Sequence, residues 1–431
     1  MSLLALLTLT PGFFNNIWKV ADKDKFDGFA DGTEALMVAR MAKSRQSGIF
    51  SEGGLIGREL SIPEGRNFIN YQFEVYYNNI PIQTYWVYES NPAVHGIIFS
   101  ILDRYLNLLN FGGQTKIYVY RLIISFISAS ILCVYLLWTL ELFGFFATLM
   151  GLLLIVSSPW LTAAGGHLYW MFGTVYLPFL IPLVLLHKKH KGKKLPSHTL
   201  LISTATAMLI KCLITGYEFI STTLIMITVP VFFYALWEKW RFFTFVKHFF
   251  IVSFSGIIGI IISVFILSLQ IAQVEGSMSR GLLYLQQRFI FRTYPTEKNS
   301  SGNIPQYIKD GNDIPISKLI NEYMADTAVR ILIKDKYYSF SFKLFLIIFT
   351  VSSTIIFIVS KNMRLIALTI TTWVSILAPL SWFVIFKSHS IVHPFLDYLV
   401  WYMPTLLLMF VNVFSIPFNL LIGGSTNHNQ L

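Results

Sequence analysis

The sequence predicts an all-α integral membrane protein with about ten transmembrane helices. Three observations predict it. Of its 431 residues, 55% are hydrophobic and 13% charged, against about 25% charged in soluble domains. The apolar residues gather in runs of about twenty, the length that crosses a hydrocarbon core. Between two such runs stands HKKHKGKK, residues 187–194, and a basic cluster so placed is held on the cytoplasmic side.

The elements follow in order. Residues 2–18 are apolar but short, and Pro11 interrupts them; they are read as a thin first span. Further spans are predicted at 117–137, 142–156, 171–186, 200–215, 219–236, 249–269, 344–359, 365–386 and 399–414. The basic segments 237–248 (WEKWRFFTFVKH) and 361–364 (KNMR) then share the side of HKKHKGKK, and both termini are cytoplasmic. The opposite face receives two long loops, 19–116 and 270–343, and the short segments 157–170, 216–218 and 387–398. Residues 270–287 and 315–329 have helical patterns. The chain reads as one integral membrane domain, 1–431, without internal repeats.

Composition narrows the partners. The net charge of +11 sits largely beside spans, where it attracts anionic lipid; it does not point to nucleic acid. The 38 Phe, 21 Tyr and 10 Trp suit lipid-facing surfaces and interfacial belts. Cys133 and Cys212 both lie in apolar runs, so no disulfide is expected. The first residues lack a basic n-region and a small-residue cleavage motif, so no cleaved signal is expected.

The candidate site residues lie on the outer face. In DGTEALMVARM, residues 31–41, Asp31 or Thr33 suits a helix cap, and Glu34 suits the helix dipole. Asp31 and Glu34 are also the candidate catalytic carboxylates, either able to act as a general base. The helix they open reads as amphipathic and interfacial, with Leu36, Met37, Met41 and Ala42 on one side and Arg40, Lys43 and Arg45 around the others. In YESNPAVHGIIFSILDR, residues 88–104, Pro92 opens a helix, and His95 has no second ligand at metal spacing. In PWLTAAGGHLYWM, residues 159–171, His167 follows small residues that permit close helix approach.

In KCLITGYEF, residues 211–219, Lys211 stands in an apolar run, where a charge needs a partner or a route to water. Glu218 is a candidate ion-pair partner, and a substrate phosphate is the functional alternative. Tyr217 and Glu218 are candidate substrate contacts in the same turn. In residues 279–294, SRGLLYLQQRFIFRTY, Arg280 and Arg288 are candidate phosphate ligands, and Arg292 shares a helical face with Arg288. In KSHSIVHPFLDYLVW, residues 387–401, His389 and His393 are spaced as neighbours on a helix. HxxxH without an adjoining Glu is a weak zinc pattern, so both are read as polar contacts to phosphate or sugar, with no metal and no cofactor expected.

This pattern resembles the GT-C superfamily of polytopic membrane glycosyltransferases. DGTEALMVARM occupies the place of their acidic first outer loop. The stretches YESNPAVHGIIFSILDR, GGHLYWMFGTVYLPF, KCLITGYEF and KSHSIVHPFLDYLVWYMP look like the polar punctuation of bacterial members, including O-antigen-modifying serotype-conversion enzymes. The chain departs in its short first span and in lacking a paired acidic motif, which leaves Asp27, Asp31 and Glu34 in competition. The resemblance implies a bacterial inner-membrane hexosyltransferase with a periplasmic site. Its donor would be a polyprenyl-phosphate-linked sugar, and its acceptor a glycan or lipid-linked O-antigen of the lipopolysaccharide kind. Lys211, Arg280 and Arg288 would then meet the departing phosphate. A polysaccharide polymerase and a transporter or flippase of lipid-linked sugars are the alternatives.

The topology is testable with reporter fusions. Fusions at Gly192 and Asn303 should report opposite compartments; the same compartment for both ends the ten-span arrangement.

Overall fold

The computed structural model describes residues 1–28, 31–293, 314–392 and 397–422. Helix makes up 76% of it. Among the described residues, seven helices are long and apolar enough to cross a membrane: Gly113–Val156, Ser197–Thr215, Ile220–Trp237, Phe242–Glu275, Phe342–Val359, Met363–Ile385 and Leu399–Ile416. The protein is therefore a predominantly helical, multi-pass membrane protein.

Numbered along the chain, α1 is Ser2–Asn15, α2 Lys23–Gly28, α3 Asp31–Ser47, α4 Phe68–Tyr77, α5 Val94–Leu108, α6 Gly113–Val156 and α7 Pro159–Gly165. Then come α8 Leu177–His190, α9 Ser197–Thr215, α10 Ile220–Met226, α11 Val229–Trp237, α12 Phe242–Glu275 and α13 Met278–Arg292; later helices are named by their ranges. Among the described residues, two antiparallel strand pairs interrupt the helical plan: β1 (Gly57–Glu59) with β2 (Tyr85–Val87), on either side of α4 in sequence, and the hairpin of β3 (Thr327–Ile333) with β4 (Lys336–Ser341).

The three remaining expected spans are shorter helices. The first is α1, of 14 residues. The expected span at 171–186 opens as a tight 3-10 turn, Phe172–Tyr176, and continues as the 14-residue α8. The expected span at 142–156 belongs to α6, whose run of 44 residues breaks at Gly144 (φ 83°, ψ 179°). A Cβ on Gly151 would lie 3.4 Å from Leu136 Cδ2. Those residues would stand about 22 Å apart along a straight helix. The chain therefore folds back at Gly144, in a backbone conformation that a side chain opposes.

Arg121 and Glu141 lie on α6 before the break, about 30 Å apart along the helix, close to one hydrocarbon thickness. They belong to opposite ends of the bundle. Around Glu141 the basic motif is ordered: His187 Nε2 meets Glu141 Oε2 at 2.6 Å, and His190 Nδ1 meets Glu238 Oε1 at 2.7 Å. Around Arg121 the polar loops assemble.

The structure corrects the reading of α3 as an interfacial helix. Residues 35–42 are all buried, Arg40 among them. The sequence presents Arg40 as a charged face, but the fold turns it inward, where its guanidinium donates to the carbonyls of Ser51 and Ile49. A buried charge is tolerated where such acceptors surround it. The helical reading of 315–329 is also corrected. A helix spans Ile316–Ala325, and Thr327 begins β3. The β-branched and apolar run TAVRILI suits a strand.

One buried network binds the first loop to the bundle. Asp103 on α5 accepts from Arg45 of α3 through both oxygens, at 2.6 and 2.8 Å. It also accepts from Tyr76 of α4 at 2.6 Å, and from Tyr120 and Lys116 of α6 at 3.2 and 3.4 Å. Four helices thus meet on one carboxylate. Burial raises the Asp103 carboxyl, but its bonds to Arg45 and Tyr76 and the charges of Arg45 and Lys116 outweigh burial and hold it below the usual range.

Replacing Asp103 with Asn leaves Arg45 and Lys116 without their counter-charge. Breaking such a pair costs about 3–5 kcal/mol, so a marked fall in the melting midpoint is expected. Because the folded carboxyl is depressed, its stabilisation is complete above the unfolded value of about 3.9 and is lost as pH falls through the lower folded value. Asp103→Asn should flatten the acid limb of the stability profile; an unchanged acid limb would show that Asp103 does not anchor the loop.

Candidate functional site

At the Arg121 end, two polar clusters stand side by side. The first is built on Glu34, in the first turn of α3. Glu34 is fully buried. Its Oε2 accepts from Arg121 Nη2 at 2.6 Å and Nε at 3.2 Å, and its Oε1 accepts from the Leu168 N–H at 2.7 Å. Burial raises the Glu34 carboxyl, against the pull of the Arg121 charge and hydrogen bonds and the Leu168 amide. The next two amides, of Tyr169 and Trp170, donate to His167 Nδ1 at 3.1 and 3.3 Å. These contacts leave the ring proton on Nε2, which faces Thr33 Oγ1 at 3.3 Å. Of these three successive N–H groups, one meets the Glu34 carboxylate and two meet the imidazole.

The sequence folds this way locally because of the two glycines before His167. A Cβ on Gly165 would lie 2.3 Å from Phe13, and one on Gly166 2.8 Å from Ser125 Oγ. Their absence lets α1 and α6 close on the 166–170 turn. A small cleft remains, of about 40 Å³, lined by Phe13, Phe14, Asp27, Glu34, Arg121 and His167 among others.

The second cluster is built on Glu218. Its Oε1 meets Arg292 Nη2 at 3.0 Å, and its Oε2 meets His389 Nε2 at 2.6 Å. All three side chains are at most 11% exposed. The turn from Thr215 to Phe219 presents them. Gly216 has φ 63°, and a Cβ there would lie 2.9 Å from Asn91; Phe219 also takes a left-handed conformation. Lys211 braces this turn. Its Nζ donates to the carbonyl of Gly216 at 2.9 Å and to that of Glu218. The ammonium thus meets the Glu218 backbone, while the Glu218 carboxylate turns to Arg292 and His389.

Beside this cluster lies an apolar cavity of about 180 Å³. Tyr217, Ile220, Val264 and Phe386 line its walls, and Ser90, Arg288 and Arg292 also belong to its lining. Trp382 backs it, stacked on Phe386 and set edge-on to His389 at 5.7 Å. Asp397 holds Trp382 through Nε1 at 2.8 Å and accepts from Tyr323 at 2.8 Å. Burial, with the charge of Glu218 nearby, pushes Asp397 well above the carboxylate range.

The structure brings Tyr217, Glu218, Arg288 and His389 to this second site, and Glu34 and His167 to the first. Arg280 stands apart, 69% exposed and 3.8 Å from Glu275. Asp31 opens α3, and its side chain lies outside the described residues, as does all of His393. Arg121, Arg292 and Asp397 complete the two clusters, and the candidate set lacked them. Arg121 had a signal, a lone charge in the apolar run YVYRLIIS. The pairing of Arg292 with Glu218 crosses seventy-odd positions and leaves no local pattern.

The two clusters are joined. Tyr169 belongs to the same turn as His167, and its hydroxyl accepts from Asn91 Nδ2 at 3.2 Å; Asn91 packs against Gly216. Among the described residues, no three His, Cys, Asp or Glu side chains gather as a metal site would require. Comparison with known protein families, with curated proteins and with solved structures found no match for this chain.

Lys211→Met removes two charge-assisted hydrogen bonds, each worth about 1.5–3 kcal/mol. The variant should insert normally and melt lower as the Glu218 turn relaxes. An unchanged melting midpoint would remove the brace from this account.

Proposed function

We propose that this chain is a membrane glycosyltransferase. It would take one sugar from a polyprenyl-phosphate donor and give it to a cell-surface glycan or lipid-linked O-antigen. The reaction would take place at the periplasmic face of a bacterial inner membrane, with both termini cytoplasmic. The observation that carries the reading is the apolar cavity that counts Arg288 and Arg292 among its lining residues. An isoprenoid tail suits its apolar walls, and arginine is suited to the phosphate such a tail carries.

The chemistry assigns roles to the rest. The acceptor oxygen attacks the anomeric carbon and forms the new glycosidic bond. The bond from that carbon to the phosphate oxygen breaks, and the phosphate keeps the electron pair. The acceptor proton passes to Glu34. A base needs a proton affinity raised towards the working pH while it stays ionised; burial supplies the first and Arg121 the second. Positive charge at Arg288 and Arg292 stabilises the departing phosphate where its charge develops. The polar cleft at Glu34 would take the acceptor hydroxyl, and the Tyr169–Asn91–Gly216 contacts would hold the two halves in register.

A second reading also has an observation behind it. Arg288 and Arg292 stand one turn apart and would also suit a pyrophosphate, the donor group of a polysaccharide polymerase. Product length separates the two, since a polymerase yields a ladder and a transferase a single addition.

The test is transfer from a radiolabelled polyprenyl-phosphate sugar into the delipidated surface polysaccharide of the producing cell. Glu34→Gln keeps the shape and still accepts the Leu168 N–H. It should bind donor normally and lose transfer by at least about 100-fold. Normal transfer by Glu34→Gln would end Glu34's role, leaving Asp27, in the same cleft, and Glu218 as the carboxylates to test.

A further inference from the structure

The first outer loop carries an aromatic track that neither cluster uses. Arg58 on β1 pairs with Trp86 on β2. Its guanidinium lies between two rings, 4.5 Å from that of Trp86 and 4.7 Å from that of Phe68. Trp86 is 37% exposed. Tyr88 follows, its ring 6.0 Å from Trp86. Next comes Ser90, whose Oγ meets the Tyr284 hydroxyl at 3.3 Å, and Tyr284 in turn accepts from Arg288 Nε at 2.8 Å. Ser90 and Arg288 line the apolar cavity. The track therefore runs from open surface to the lining of the cavity.

Its chemistry is unusual for a structural device. Arg58 Nε is buried with no hydrogen-bond partner among the described residues. A guanidinium packed against two rings is held by cation–π attraction, and it carries its N–H donors in a rigid fork.

We propose that Phe68, Arg58, Trp86 and Tyr88 form a binding track for an extended saccharide chain, which leads the acceptor to Ser90 and Asn91, between the cavity and the Glu34 cleft. The inference rests on the glycosyltransferase reading for the direction of travel. The ligand class follows from the surface itself. Sugar rings offer C–H faces that lie on aromatic rings, and hydroxyls that accept from a guanidinium. The surroundings carry both signs of charge: Glu64, Arg66 and Glu74 lie beside Phe68, with Arg66 and Glu74 paired at 3.1 Å, and Glu89 lies beside Tyr88. That mixture disfavours a polyanion. The segment 63–67 is exposed and charged, which places Phe68 towards water and away from lipid tails.

The probe is the delipidated surface polysaccharide of the producing cell, fractionated from one repeat unit upward. Binding to the full-length protein in detergent is measured by titration calorimetry. The wild type should bind longer fractions more tightly. Trp86→Ala should weaken the long fractions roughly tenfold and leave the single repeat unchanged; Trp86→Phe should recover most of the loss. Arg58→Lys keeps the charge but not the planar stack, and should behave like Trp86→Ala. Equal binding by wild type and Trp86→Ala, no dependence on length, or no binding of any fraction overturns the track. So does stronger quenching of the wild type than of Trp86→Phe by brominated phospholipids, which would show that Trp86 faces lipid. Length-dependent binding without sugar transfer would sink the glycosyltransferase reading and leave the track standing. Transfer with binding indifferent to Trp86 would do the reverse.

Discussion

A buried carboxylate must have a positive or hydrogen-bonding partner, and in this protein that requirement holds the polar loops to the apolar helices. Taking an ion out of water costs several kcal/mol, and only close partners in good geometry return it. Glu34 of the first loop finds Arg121 on α6. Asp103 finds Arg45 and Lys116. Glu218, in the turn after α9, finds Arg292 at the end of α13. The pairs Glu34–Arg121, Asp103–Arg45 and Glu218–Arg292 join segments far apart in sequence. Hydrophobic burial would hold the helices together in many relative positions; the ion pairs select among them.

The same constraint explains what could be read from the sequence and what could not. Span positions and the basic loops follow from local composition, and the apolar helices lie where the runs do. Glu34, His167, Tyr217, Glu218, Arg288 and His389 were legible as polar residues at the ends of apolar runs. Their partners were not. Arg45 on α3 reads as one more charge on a helix face, and nothing near it in sequence announces Asp103 58 positions on. The buried state of α3 was hidden for a related reason. Arg40 looks exposed by its chemistry, and only the fold brings the carbonyls of Ile49 and Ser51 around it. The β1–β2 pair was missed because its strands are three residues each and 25 positions separate them.

The two clusters divide the labour that a reaction between a lipid and a polar acceptor would impose. The cleft at Glu34 has a carboxylate, a guanidinium, an imidazole and inward-facing amides. The cavity at Arg292 is walled by aliphatic and aromatic side chains. Neither surface alone suits an amphiphile meeting a sugar hydroxyl. Placed on either side of Tyr169 and Asn91, they supply both solvents that such a pair of substrates needs.

The length of α12 has a mechanical consequence. Its 34 residues extend about 51 Å, well beyond a hydrocarbon core of about 30 Å. Near its far end, Gln270 Nε2 donates to the carbonyls of Gly53 and Pro92 at 3.1 and 3.2 Å, so the rod grips the first outer loop directly. A helix answers a thinner or thicker bilayer by tilting, at fractions of a kcal/mol per ångström of mismatch. Any such tilt would swing the overhanging tip through a larger arc than the embedded portion, and carry Gly53, Pro92 and the neighbouring Ser90 with it. The thickness and lipid composition of the host membrane thereby become a lever on the mouth of the cavity.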